Sequence, residues 1–507
     1  MPQEKAQPTW LKQLVAVEAL FLCCVLPWLL SDLWYDEVLS LNVVLLHDSP
    51  WEIFRDYRFA NNHFLNNFLE WLWLRGLGLN AANEFLVRLP AVFFGMGTVA
   101  VVLLGWRKFL GEKIALLTAV VMACSPVFTA FAWQFRGYSL AMFLSALAIH
   151  ASAIRSQKNT VANGVALFLL GLLLPLIMPP AAMLPCALAV ALCAEKGMAL
   201  RSWMGLRDGV RAAWPPVAGA VLGVAYYLTL WEEFSAATRE SGGWTSAWLV
   251  GLHVVFAFAL HLGVLCWPLF KPAQKGAGTE SRLGWMLLGG CALALVAVLL
   301  VPSPVHRAPF PRVFLPLLPA VTFGVALLAK NCRGLDADWN KFMQLVALEL
   351  VIALTIRIGC EAAKRYALDL GKAPPQNLLV QYYRGDSGIS ALLQEYAALP
   401  EEQRSRLLVL VSPYDVPTCG YYWMLYGLPE SGRAGLSLMR PANLFRPEAL
   451  SLYRSNGYAV LILARHGQEA REWASAAGFA GVVPVPVGNR HDHHQFFRVD
   501  GGISSSL

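Results

Sequence analysis

Tyr35-Asp36-Glu37 follows directly on the first long apolar block of this 507-residue chain. Two adjacent carboxylates at the edge of such a block are costly unless solvated or used, because partial burial disfavours their charged forms. In a cleft, a carboxylate there can take the proton of an attacking hydroxyl or amine as general base; facing open water, the two would be a helix-end pair. A second constellation is Arg136-Gly137-Tyr138, within the run FAWQFRGYSL from Phe131 to Leu140. A guanidinium holds phosphate oxygens bidentately, and Gly137 lets the backbone approach closely. The bland reading of Arg136 is a lone interfacial arginine that snorkels to lipid head groups. His63, Arg58, Arg307 and Arg312 are candidate partners, and several cations around one pocket would suit an anionic lipid head. Near the end of the chain, Arg490-His491-Asp492-His493-His494 carries metal-ligating residue types. Consecutive residues of one extended segment do not easily converge on one ion, so this stretch reads as a solvated loop.

The elements that must position these residues are apolar helices. Hydrophobic residues make up 57% of the chain and charged residues 14%, against about 25% charged in an ordinary soluble protein. The apolar residues come in unbroken blocks long enough to cross roughly 30 Å of hydrocarbon as helices. Barrel strands alternate and these blocks do not, so a barrel is excluded along with a soluble fold. The net charge of +7 resides in short loops between blocks, where it sets topology and implies no nucleic-acid partner. Nearly all of the ten cysteines lie in or beside apolar blocks, without CxxC spacing, so neither a disulfide framework nor a zinc site is expected.

Eleven spans are predicted, at about 11–30, 86–106, 114–131, 138–154, 161–177, 181–195, 215–231, 247–269, 284–302, 313–329 and 342–359. The first is read as an uncleaved helix, because no small-residue cleavage site follows it. Alternate loops are rich in lysine and arginine, from Arg107 and Lys108 to Lys330, Arg333 and Lys341. The positive-inside rule then places the N-terminus in the cytoplasm, with residues 31–85 and everything beyond about 360 on the other side. Phe64 to Leu79 is apolar but interrupted by Asn66, Asn67, Glu70 and Arg75. Counting it as a span would invert every later loop, so it reads as an amphipathic helix lying at the membrane surface. The chain therefore divides into a membrane part, 1–370, with a long first loop at 31–85, and a C-terminal α/β domain, 371–507. In the latter, strand-length runs (Leu378–Tyr382, Leu407–Val411, Ala459–Leu463, Val482–Val485) alternate with helix-like stretches at Gly388–Ala398 and Gln468–Ala477. No P-loop or GxGxxG is present, so nucleotide binding has no support there.

The order of features resembles a known superfamily. An acidic pair closes the first helix and an interfacial helix follows. Then come Arg88-Leu89-Pro90, Arg107-Lys108-Phe109-Leu110-Gly111, Ser125-Pro126 and Gln134-Phe135-Arg136-Gly137-Tyr138, with Pro311-Arg312-Val313-Phe314-Leu315-Pro316 late in the bundle. This resembles the GT-C membrane glycosyltransferases, in particular the protein mannosyltransferase-like branch that includes bacterial aminoarabinose transferases. The resemblance implies an inverting transfer of sugar from a polyprenyl monophosphate to a lipid, glycan or protein acceptor, at the periplasmic face of a bacterial inner membrane. It implies Asp36 as base with Glu37 beside it, and Arg136, Tyr138, Arg58, His63 and Arg312 around the donor phosphate. The chain departs from the family pattern in the first loop, where His63-Phe64-Leu65-Asn66 replaces the usual His-Pro-Pro-Leu. Oligosaccharyltransferase relatives carry acidic metal ligands in the second outer loop; residues 131–138 have none, which predicts an enzyme independent of metal. Two other readings compete. A flippase for a lipid-linked glycan would favour ionisable groups at mid-membrane and an inverted repeat, whereas the block centres here are almost free of charge. A non-catalytic scaffold would have no need of Asp36 and Arg136.

Overall fold

The computed structural model describes residues 9–57, 62–81, 83–200, 203–240, 246–266, 279–300, 310–330, 339–369, 389–398, 400–401, 407–411, 416–428, 437–438, 459–464, 467–476, 482–485 and 495–499. Arg58, Arg307, the Leu378–Tyr382 run and the 490–494 histidine cluster lie outside them.

The chain is a multi-pass membrane protein. Among the described residues, eight helices are long and apolar enough to cross a bilayer: Trp10–Leu29, Glu84–Leu110, Tyr138–Gln157, Met204–Ala237, Ala247–Cys266, Ser281–Leu300, Pro311–Lys330 and Asn340–Cys360. The other three expected spans fall on shorter elements. Residues 114–131 form only Glu112–Cys124 before the chain breaks at Ser125-Pro126; Val161–Ile177 is a shorter apolar helix, and Met183–Leu200 is not among the eight. Proline has no amide to donate and its ring opposes the preceding turn, which is why the first of these stops where it does.

The helices used below are α1 (Thr9–Leu29), α2 (Tyr35–Leu46), α3 (Phe64–Trp71), α4 (Glu84–Ala100), α5 (Glu112–Cys124), α6 (Tyr138–Gln157), α7 (Val161–Ile177), α8 (Met183–Leu200) and α9 (Trp203–Ala225). Among the described residues, three helices follow the last span: α10 (Ile389–Ala397), α11 (Val416–Leu425) and α12 (Gly467–Ala476). One continuous core joins α1, α4, α5 and α6 with the later spans. Beyond α10 lie five short strands, β1 (Leu407–Val411), β2 (Ser437–Leu438), β3 (Ala459–Ala464), β4 (Val482–Val485) and β5 (Gln495–Val499), in the order β2-β1-β3-β5-β4. β1 is parallel to both β2 and β3, whereas β5 runs antiparallel to β3 and β4.

Two features of the bundle bear on the site. After α5, residues 130–137 follow an irregular path on which every residue is buried. Non-helical backbone inside a membrane bundle is tolerated only where protein surrounds it and meets its polar groups; here Gln134 Nε2 donates to Ala130 O at 2.7 Å. The spans also hold more ionisable groups than the sequence reading expects, for Glu18, His261 and Glu349 are buried within them. Arg357 donates from Nη2 to Thr129 Oγ1 at 2.7 Å and from Nη1 to Cys24 O at 3.2 Å.

Helices α7 and α9 cross closely through small residues, the usual means by which helices approach in a membrane. A Cβ built on Gly219 would stand 2.0 Å from Phe168 O. Gly219→Ala is therefore expected to cost about 1–3 kcal/mol by forcing the pair apart. Gly289, with nothing within 4 Å of its Cβ position, is the control. Thermal unfolding in detergent should show a lower midpoint for Gly219→Ala and an unchanged one for Gly289→Ala.

Candidate active site

The 31–46 segment forms a helix where the sequence suggests loop. Asp36 and Glu37 occupy the first turn of α2, where carboxylates favour the positive end of the helix dipole. Glu37 sits at the third helical position, and its Oε2 accepts from Trp34 N at 3.2 Å, closing half of a capping box. From that turn the two neighbours point into different surroundings.

Glu37 is fully buried and its oxygens are taken up by structure. Arg88, from α4, grips it with two bonds, Nε to Oε1 at 3.0 Å and Nη2 to Oε2 at 2.7 Å. Phe135 N, from the irregular segment, donates to Oε1 at 2.7 Å. Arg88 Nη1 meanwhile meets the carbonyls of Trp28, Leu29 and Ser31 at 3.1, 3.2 and 2.5 Å, and Nη2 meets Asp32 O at 3.0 Å. The orphan carbonyls at the C-terminal end of α1 are satisfied in this way. Four donors thus surround Glu37, which ties α2 to α4 and to the irregular segment. Arg88 is the residue that sequence reasoning passed over. Its signal was present, since an arginine a turn inside an apolar block calls for a buried partner.

Asp36 faces the other way. It is buried, with Oδ2 3.0 Å from Arg312 Nη1. Arg312 enters from the short helical turn Pro311–Leu317, and its guanidinium lies 4.8 Å from the Phe310 ring centroid and 5.9 Å from that of Trp34. Arg136, also buried, donates from Nη1 to Asp36 O at 2.8 Å and to Ser40 Oγ at 3.0 Å. Tyr138, the first residue of α6, places its ring 5.9 Å from the Arg136 guanidinium and edge-on to His63 at 5.2 Å. Gly137 is required between them, because a Cβ there would come within 2.7 Å of His63 Nδ1 and 2.5 Å of Ile177 Cγ2.

Asp36, Glu37, His63, Arg136, Tyr138 and Arg312 are therefore gathered at one end of the bundle, as the sequence proposes. His63 does not serve as a cation. Burial first, then the positive charges of Arg136 and Arg312, push its imidazole well below the usual histidine range. A neutral ring at neutral pH follows. Arg88 pairs with Glu37 and Arg312 with Asp36, while Arg136 bonds the Asp36 carbonyl and Ser40.

Helix α3 covers this cluster with its polar side turned inward. His63, Asn66, Asn67 and Glu70, spaced three and four apart, are all buried, while the apolar Leu72 just beyond is exposed. The amphipathic reading of this segment is right in kind, but the polar stripe faces protein rather than water. Burial, and then the negative charge of Glu37, raise the Glu70 carboxyl well above the usual range and favour its neutral form. The helix is tied down at both ends. Trp71 Nε1 donates to His47 O at 2.9 Å, Arg75 Nη1 bonds the same carbonyl, and Asn67 Nδ2 donates to Asn62 Oδ1 at 2.6 Å.

Helices α10 and α11 pack on the same end, sharing a core with Leu33, Val38, Leu41, Val87 and Phe135. Tyr422 OH accepts from the buried Leu33 N at 2.8 Å and donates to Glu84 Oε1 at 2.9 Å. Ser390 N donates to Asp32 Oδ2 at 3.1 Å, and Tyr421 OH to Ala81 O at 2.7 Å. No group of three or more His, Cys, Asp or Glu side chains is placed to hold a metal among the described residues.

With this arrangement in view, comparison with known proteins gives one clear result. No protein-family profile matches the chain, and no curated protein does. Solved structures do match. The chain superposes on ArnT from Cupriavidus metallidurans in the apo state with a TM-score of 0.54 at 14% identity, over 97% of this chain and 98% of that one. ArnT from the same organism bound to undecaprenyl phosphate gives 0.52, with the same identity and coverage. The chain therefore shares its fold with ArnT.

Two substitutions test how the site is held. Arg88→Leu leaves Glu37 buried without its partner and is expected to cost about 3–5 kcal/mol. The double variant Arg88→Leu/Glu37→Leu should recover part of the loss in denaturant unfolding. Tyr422→Phe strands the Leu33 amide and should cost about 1–3 kcal/mol, read in the same assay.

Proposed function

We propose that this chain is an inverting glycosyltransferase that moves a sugar from a polyprenyl-monophosphate carrier to a lipid, glycan or protein acceptor. The observation that carries the reading is the pairing of Asp36 with Arg312, with Arg136 bound to the carbonyl of the same aspartate. A carboxylate able to take a proton thus lies beside cations able to hold a phosphate. The neighbouring ArnT structure contains undecaprenyl phosphate, which supports the same class of carrier here.

In the reaction, the acceptor's hydroxyl or amine gives its proton to Asp36 while its heteroatom bonds the anomeric carbon. The bond from that carbon to the phosphate oxygen breaks, and its electron pair leaves with the phosphate. Arg136 and Arg312 neutralise the charge that develops there, which is where electrostatic stabilisation acts most strongly. Glu37 is occupied by Arg88, so one carboxylate is at work, as single displacement with inversion requires. The cations invoked are guanidiniums, and we propose that the reaction runs without a metal. The distribution of basic loops favours placing this end of the bundle at the periplasmic face of a bacterial inner membrane. Residues 371–507 would form an α/β unit on that side.

The buried Glu18, His261 and Glu349, with the half-buried Arg357, within the spans favour a second reading, movement of a lipid-linked glycan across the membrane. Asp36→Asn separates the two. Transfer by purified protein in nanodiscs from radiolabelled polyprenyl-phosphate sugars, with membrane extract as acceptor, should fall by about 10²–10⁴-fold in Asp36→Asn, and EDTA should leave the wild type unaffected. Carrier flipping that is equal in both proteins, with no transfer by either, would assign the chain to the second reading.

A further inference from the structure

Arg357 places a permanent positive charge inside a membrane span. It lies in Asn340–Cys360, less than one turn from the end of that apolar stretch, and is half-buried. Its surroundings face lipid: Val351, Leu354 and Ile358 on the same helix and Leu26 on α1 are exposed apolar side chains. A guanidinium does not give up its charge, so in an apolar surrounding it calls for a counter-ion. Each of these two spans has one acidic residue, Glu18 six residues before Cys24 and Glu349 eight before Arg357. Those separations are about 9 and 12 Å along the helix axes. Among the described residues neither is bonded to Arg357, and it has no ion pair.

An arginine near a helix end ordinarily extends its stem toward the interface. Here two of its five N–H groups turn into protein instead, Nη1 to Cys24 O at 3.2 Å and Nη2 to Thr129 Oγ1 at 2.7 Å. The Thr129 hydroxyl donates in turn to Ser125 O at 2.8 Å. The guanidinium is thereby fixed between α1, the last span and the foot of the irregular 130–137 segment. Three N–H groups remain, in the planar geometry that suits phosphate oxygens. An anion carried by the bilayer itself meets both conditions, because its phosphate reaches the guanidinium while its acyl chains lie on the exposed apolar side chains.

We propose that Arg357 forms a site for one anionic phospholipid of the surrounding bilayer, held by its phosphate. The site does not depend on the transfer reading. It is tested by native mass spectrometry of full-length, delipidated protein in detergent, titrated with dioleoyl phosphatidylglycerol or dioleoyl phosphatidylcholine. Wild type should retain one phosphatidylglycerol about tenfold more tightly than phosphatidylcholine, the scale of one charge-assisted hydrogen bond. Arg357→Gln should bring the two lipids level, and Arg357→Lys should keep most of the preference. Thr129→Val, which removes the tie but not the charge, should keep it too. Equal binding of both lipids by wild type overturns the site without requiring any variant to fold. A preference unmoved in Arg357→Gln, or lost as fully in Thr129→Val, overturns it as well and leaves the arginine as a brace for the chain. If Arg357→Gln instead weakens polyprenyl phosphate and leaves phosphatidylglycerol unchanged, the occupant is the carrier and the phospholipid assignment falls.

Discussion

Removing an arginine and a glutamate from water together is costly unless every donor and lone pair finds a partner. Arg88 and Glu37 meet that condition by drawing their partners from four separate pieces of chain. The guanidinium gathers carbonyls from the end of α1 and the residues after it, and the carboxylate gathers the amides of Trp34 and Phe135. Any one of these pieces alone would leave an unsatisfied charge in an apolar surrounding. The pair therefore fixes the exit of α1, the start of α2, the entry of α4 and the irregular 130–137 segment relative to one another. The rest of the site inherits that geometry. Asp36 is aimed by the turn that Glu37 caps, and Arg136 is aimed by the backbone that Phe135 anchors.

With Asp36 as the proposed base, this arrangement would divide labour between two adjacent and chemically similar residues. On a helix, neighbours in sequence diverge by about 100° (3.6 residues per turn), so side by side in the sequence is not side by side in space. Glu37, with the longer side chain, reaches back into protein; Asp36 reaches the arginines that line the other side. Structural and chemical demands on a membrane-level carboxylate conflict, because one asks for full satisfaction and the other for an available lone pair. On the proposed reading, placing them on consecutive residues would let the same helical turn serve both.

Much of the architecture was legible in the sequence, for reasons that can be stated. Apolar blocks of membrane length register as helices whatever their neighbours do, and β1, β3 and β4 fall on the runs that alternate with polar turns. The clustering of Asp36, Arg136 and Arg312 followed from charges placed where topology gave them no purpose. Other features were hidden. The span expected over 114–131 is cut short because Ser125-Pro126 ends a helix that composition alone would continue. The inward face of α3 was ambiguous, since a polar stripe on a surface helix reads identically whether it meets water or a polar site. The role of Glu37 depended on Arg88, 51 residues away, and no local pattern specifies a contact at that separation.

Tyr422 bears on how the molecule comes into being. Its hydroxyl satisfies the amide of Leu33, 389 residues earlier in the chain. A polypeptide emerging from its N-terminus presents the carboxylate segment almost at once, yet that segment lacks a partner for a buried amide until α11 has been made. The two ends of the synthesis schedule meet at the site. Any product that stops before residue 422 contains Asp36, Glu37, Arg88, Arg136 and Arg312 but lacks the hydroxyl that meets the Leu33 amide, so this end of the bundle is closed only once α11 is present.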